Sequence, residues 1–130
     1  MITNDNHLDE PFITTIPLGK ASLAQRVNVC RNTVKSWHYT ANLLIPAYRE
    51  IFPLKNSGDP SSGKDYTVPL MPYQCWVLVR VGWVMKVYRT RFASHQYIKA
   101  NPHNFSKAKF TAVLKEFKST QSTNKRYSAS

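Results

Sequence analysis

Between Lys20 and Tyr39 the chain reads Lys-Ala-Ser-Leu-Ala-Gln-Arg-Val-Asn-Val-Cys-Arg-Asn-Thr-Val-Lys-Ser-Trp-His-Tyr, and its apolar positions fall where two short helices joined by a tight reversal need them. Leu23 and Val27 are four apart and share one face of a first helix, with the small Ala24 beside them where a larger side chain would keep the helices from closing. Asn28 stands at the reversal and, after Gly, is among the residues that best tolerate the left-handed backbone a sharp turn demands. Val29 follows as a buried turn residue, and Val34 and Trp37, three apart, give a second helix its inner face. Arg31, Asn32, Lys35 and Ser36 are then left pointing outward. This is the pattern of a helix-turn-helix whose second helix presents a basic, amide-rich surface, the chemistry of a recognition helix.

On these residues the chain resembles a family. Leu-Ala-Gln-Arg-Val-Asn-Val-Cys-Arg-Asn-Thr-Val-Lys-Ser-Trp (23–37) looks like the helix-turn-helix of MerR-type and excisionase-type winged DNA-binding proteins, and Asn-Leu-Leu-Ile-Pro (42–46) is similar to their Pro-ended exit toward the wing. The resemblance spans about half of the chain and implies a mainly α fold with a small β-hairpin wing, a winged helix-turn-helix head followed by C-terminal dimerisation helices. Small members of that family are found beside mobile elements, among them repressors of transposon-borne CRISPR modules in cyanobacteria, and the chain is compatible with such a role. It departs from the family's pattern at Thr67, where an Arg often follows the wing aromatic, matched here to Tyr66.

Length and charge bound the rest. With 130 residues and 42% apolar content, the chain fits one domain, or a small head with a short second element. The formal net charge of +11 is uneven: residues 1–65 hold seven Lys/Arg against six Asp/Glu, and residues 66–130 hold eleven against one. So cationic a second half is expected to attract a polyanion, with steep salt dependence. Met1 to Glu10 is polar and acidic, unlike a signal peptide, and no apolar run reaches the roughly 18 residues of a spanning helix, so a cytoplasmic protein is expected. Cys30 and Cys75 are 45 apart and match neither a disulfide framework nor a zinc spacing; His7, His38, His95 and His103 form no ligand-spaced pair. No metal or cofactor is expected. Cys30 takes the position before the second helix where Ser or Thr would ordinarily cap it.

Along the chain, residues 1–16 read as an N-terminal arm and residues 17–70 as the head, with Pro17 opening its first helix. The helical pattern stops after Tyr39, and Asn42 to Leu54, with Pro46 and Pro53, suits a turn and an extended piece. A Gly/Pro/Ser-rich loop over 55–65, flanked by Ile51 to Leu54 and Tyr66 to Leu70, reads as the wing hairpin. Within it, Gly58 to Asp65 nearly spells a phosphate-binding loop, but Asp65 replaces the final hydroxyl and no helix can follow through Tyr-Thr-Val-Pro-Leu-Met-Pro. Residues 71–118 read as a helical dimerisation region. The valines of Met71 to Phe92 favour a strand, while its length and Pro72 in a first turn favour a helix, and length decides for the helix. Its two apolar stripes call for partners on two sides, the head and a second subunit. Ala93 to Ala100 reads as a short helix; Ser106 caps a last one, with Phe110, Val113, Leu114 and Phe117 on one face and lysines 107, 109, 115 and 118 elsewhere. Residues 119–130 read as a disordered tail carrying Lys125 and Arg126.

The function this supports is a sequence-specific DNA-binding transcriptional regulator, a homodimeric repressor on an inverted-repeat operator, and not an enzyme. Arg31, Asn32, Lys35 and Ser36 are the base-contacting candidates; Arg26, Thr33, His38, Arg49 and Lys64 are the phosphate-contacting ones. Trp76, Val77, Trp83, Val84, Val87, Phe110, Leu114 and Phe117 are the candidates for the dimer interface. Two alternatives stay open: an excisionase-like architectural protein that bends DNA, or a general basic nucleic-acid-binding or interaction module in which the second half binds.

Overall fold

The computed structural model describes residues 11–129, with side chains through residue 120; the first ten residues, His7 among them, and the side chains of Lys125 and Arg126 lie outside the described part. Among the described residues the chain forms six α-helices: α1 (Lys20–Arg26), α2 (Arg31–Leu44), α3 (Pro46–Arg49), α4 (Pro72–Tyr88), α5 (Arg91–Ala100) and α6 (Lys107–Ala129). The first helix opens later than Pro17 suggests. Leu18 is held in an antiparallel bridge to Leu70, its amide donating to the Leu70 carbonyl at 2.9 Å and its carbonyl accepting from the Leu70 amide at 2.7 Å, and α1 starts after Gly19.

The α1–α2 reversal follows from Asn28, which adopts the left-handed conformation at φ 59°. Its amide donates to the Gln25 carbonyl at 3.3 Å and the Val29 amide donates to the Ala24 carbonyl at 3.0 Å, the paired bonds of a Schellman closure that satisfies carbonyls left open at the end of α1. Leu23, Ala24, Val27, Val34 and Trp37 are all buried, as their spacing requires. α2 runs past Tyr39 to Leu44, because Thr40 and Ala41 continue its buried face. Pro46 then begins α3 instead of ending order: proline at the first helical position lacks only an amide that has no partner there.

α4 is the central helix: the helical reading of Met71 to Phe92 holds over Pro72–Tyr88, after which Arg89, at φ 65°, ends the helix and Phe92 falls in α5. It packs against α2, α3, α5 and α6, which explains why it is apolar on every side. Its one buried amide is satisfied: Gln74 accepts from the Met71 amide at 2.8 Å and donates to the Tyr48 carbonyl at 3.2 Å. Where α4 meets α2, Gly82 lies under the Trp37 indole. A Cβ built on Gly82 would stand 2.5 Å from the indole's Cε2 and Cζ2, so only glycine permits this approach.

One expectation is overturned here. There is no β-hairpin wing: among the described residues no strand forms, and the segment between α3 and α4 holds only the isolated bridge Leu54↔Lys64 besides the Leu18↔Leu70 pair. The expected flanks are drawn elsewhere. Phe52 and Tyr66 turn into an aromatic cluster of the head, and Pro53 and Pro69 remove ladder donors on both sides. The loop tip closes on itself, Asp59 accepting from the Ser61 amide and hydroxyl at 3.1 and 2.6 Å to form a 3-10 turn over Pro60–Ser62. The candidates for a dimer seam are divided by the fold. Trp76, Val77 and Val84 are buried in the protomer's own core and Phe110 is nearly so; Trp83 and Leu114 are half-buried, leaving Val87 and Phe117 at the surface. The second partner that α4 requires is α5, Phe105 and α6 of the same chain, with the Tyr73 hydroxyl bonded to the Phe105 carbonyl and Arg80 donating to the Asn104 carbonyl at 2.9 Å. α6 starts as expected, the Ser106 hydroxyl accepting from the Lys109 amide at 3.1 Å, but it continues through the segment taken for a disordered tail.

The Trp37 contact makes a direct test possible. Overpacking costs about 1–3 kcal/mol, more than the gain of up to about 1 kcal/mol that Gly→Ala brings in a helix interior. Gly82→Ala is therefore expected to lower stability in urea by about 1–2 kcal/mol, and to cost far less in a Trp37→Leu background; equal costs in both backgrounds would show that the indole is not what Gly82 accommodates.

Candidate nucleic-acid interface

α2 is seated by its inner face, so its outer face is determined by the 3.6-residue repeat. Arg31, Asn32, Lys35 and Ser36 are all exposed on its first two turns, and the stripe continues to Tyr39, 76% exposed, and Leu43. Cys30 is the N-cap position; its thiol lies 3.1 Å from the Thr33 hydroxyl, and that contact, followed by nearby amides, lowers its pKa. Cys75 is buried in α4, so the two thiols are separate and free.

Two grooves flank the Lys35–Tyr39 ridge. One, of about 480 Å³, lies between α2 and the segment 66–68 and is lined by Lys20, Arg31, Lys35, His38 and Tyr66. Lys20 donates to the Tyr66 carbonyl at 2.6 Å, and its pKa is lowered first by burial and then by the charges of Arg31 and Lys35. The other groove, of about 580 Å³, lies between α2 and α5, with Asn32, Lys35 and Ser36 on one wall and Arg91 and His95 on the other. No carboxylate lines either groove. This follows from the charge distribution: all 18 Lys/Arg fall after residue 10, together with only four of the seven Asp/Glu. Of those four, Asp59 is engaged at its loop tip and Asp65 accepts from the Thr67 amide and hydroxyl at 2.9 and 2.5 Å.

The phosphate-contacting candidates are dispersed by the fold. Arg26 is exposed at the end of α1 and Thr33 is half-buried. Arg49 donates to the Asn42 carbonyl at 2.8 Å and Lys64 to the Phe52 carbonyl at 2.8 Å, so both tie loops to the head. His38 turns inward. Its Nδ1 shares a hydrogen bond of 2.7 Å with the Tyr48 hydroxyl, and its ring sits 5.2–5.7 Å from those of Tyr48, Phe52 and Tyr66. Lys20, Tyr39 and Arg91 were not singled out by sequence reasoning. Tyr39 continues the outward spacing of Asn32 and Ser36 and was legible in principle; Arg91 reaches the site only through the packing of α5 on α4.

The near phosphate-binding loop has no helix after Lys64, and among the described residues no group of three His, Cys, Asp or Glu could hold a metal. No helix there is long and apolar enough to cross a membrane.

Burial, and secondarily the charge of Lys20, lower the His38 pKa from 6.5 to about 4. The folded state thus favours neutral imidazole, and the unfolded chain binds the proton more readily. This contribution to stability is complete above pH 6.5 and is lost as pH falls toward about 4. Urea unfolding at stepped pH is expected to show wild type weakening across that window and His38→Gln weakening less; parallel profiles would mean that His38 is not held neutral.

Comparison with protein-family models, with curated proteins and with solved structures found no match to this chain.

Proposed function

We propose that the chain is a sequence-specific DNA-binding regulator that reads duplex DNA with the outward face of α2. The observation that carries this reading is the bare face of Arg31, Asn32, Lys35 and Ser36 between two carboxylate-free cationic grooves. Arg and Asn have the bidentate geometry for guanine and adenine edges, each good pair giving about 1–3 kcal/mol of discrimination. The major groove, about 12 Å wide, admits a single helix, and Arg31, Asn32, Lys35 and Ser36 of α2 are exposed at the protein surface. Lys20, beside Arg31 and Lys35, supplies a positive field that would hold the backbone on either side of the bases read. Occupying a promoter in this way suits a repressor. A dimer built on α4 would have to use its exposed end at Val87, since Trp76, Val77 and Val84 belong to the protomer's own core.

Selection from a random duplex pool at near-physiological salt tests the reading. Wild type is expected to enrich one defined sequence, and Arg31→Gln/Asn32→Ala to retain only weak binding without enrichment. Retention with no enrichment by wild type, or the same enriched sequence from both proteins, would contradict it.

A further inference from the structure

The groove between α2 and α5 has one wall that the reading of bases leaves unused. Arg91 and His95 are one helical turn apart on α5 and share the face that looks across the groove to Asn32, Lys35 and Ser36. Lys99 follows one turn on. The placement is firm: the Thr90 hydroxyl caps α5 by accepting from the Ala93 amide at 3.1 Å, buried Ser94 and Ile98 seat the helix, and the Tyr88 and Tyr97 rings stack 5.1 Å apart across the corner. Burial, then the charges of Arg91 and Lys99, lower the His95 pKa, so the imidazole stays neutral near pH 7 and can offer a phosphate only an N–H donor beside the Arg91 cation. Tyr39 stands on the ridge between the two grooves, and no carboxylate lines this one.

We infer that α5 is the second arm of the DNA interface, with Arg91 and His95 holding backbone phosphates of the duplex whose bases α2 reads. The inference rests on the DNA-reading proposal above. Its ligand is the sugar-phosphate backbone of duplex DNA, favoured by charge complementarity across a groove with cations on both walls and by its continuity with the reading face. α5 thereby does what a hairpin wing would have done, from the other side of the Lys35–Tyr39 ridge. Such contacts position the protein and carry no sequence information.

The test is the salt dependence of binding to a random-sequence duplex, where backbone contacts dominate. Arg91→Gln is expected to weaken binding roughly tenfold and to lower the slope of log affinity against log salt by about one, with the loss equal on selected and random sequences. Arg91→Lys is expected to keep the slope. Lys115→Gln on α6, the same change of charge outside the groove, is the control, and thermal melting of each variant verifies that it is folded. Equal slope changes for Arg91→Gln and Lys115→Gln would overturn the inference; if Arg31→Gln then still abolishes sequence preference, α5 is scaffold and the reading by α2 stands. No affinity of wild type for duplex DNA would overturn both.

Discussion

The seating of Trp37 against Gly82 is the contact on which the remaining architecture depends. It joins the most apolar helix to the helix that carries the exposed cations, and it fixes the rotation of α2 about its own axis. With Trp37, Val34 and Ala41 turned in, the helical repeat leaves Arg31, Asn32, Lys35 and Ser36 turned out. An indole is a large apolar body that needs a hollow to bury itself in, and a glycine in the middle of α4 provides the hollow at a cost in helix propensity of about 1 kcal/mol. A rotation of α2 by one residue would expose the indole and bury a charge. The exposed cationic face of α2 is therefore a consequence of core packing.

Behind α2 the aromatic cluster of His38, Tyr48, Phe52 and Tyr66 does a second job. Its rings meet mostly edge to face, and they anchor α3 and the segment 66–68 to the head. Phe52 and Tyr66 lie in what would have been the flanks of a hairpin. Burying them in the cluster stabilises the head but leaves no paired strands to form a wing, and the positive field is then supplied by helices instead: Lys20 on α1, Arg31 and Lys35 on α2, Arg91 and Lys99 on α5. The acidic residues are too few in this part of the chain to neutralise that field.

What could be read from the sequence is what local spacing determines. Leu23, Val27, Val34 and Trp37 place two helices, Asn28 marks the reversal, and Ser106 marks the start of α6, because each of these signals lies within a few residues of its consequence. The outward set on α2 follows from the same periodicity. Tertiary choices were not legible. Apolar stripes on α4 state that two partners exist without saying whether they belong to one chain or two, and Trp76 and Val77 turned out to face the protomer's own elements. Pro46 reads equally as the stop of one helix or the start of the next. The Gly/Pro/Ser-rich loop 55–65 and its flanks fit a hairpin until the cluster claims Phe52 and Tyr66. Arg91 and His95 become part of a site only because α5 folds back beside α2.

The most direct test of the central claim is an amide NMR titration of the protein with duplex DNA, mapping which residues shift. The largest shifts are expected on the first two turns of α2, on the segment 66–68 and along α5, with α6 little changed. Shifts concentrated on the lysine-bearing face of α6, with α2 unmoved, would contradict it and make the helical hairpin a scaffold.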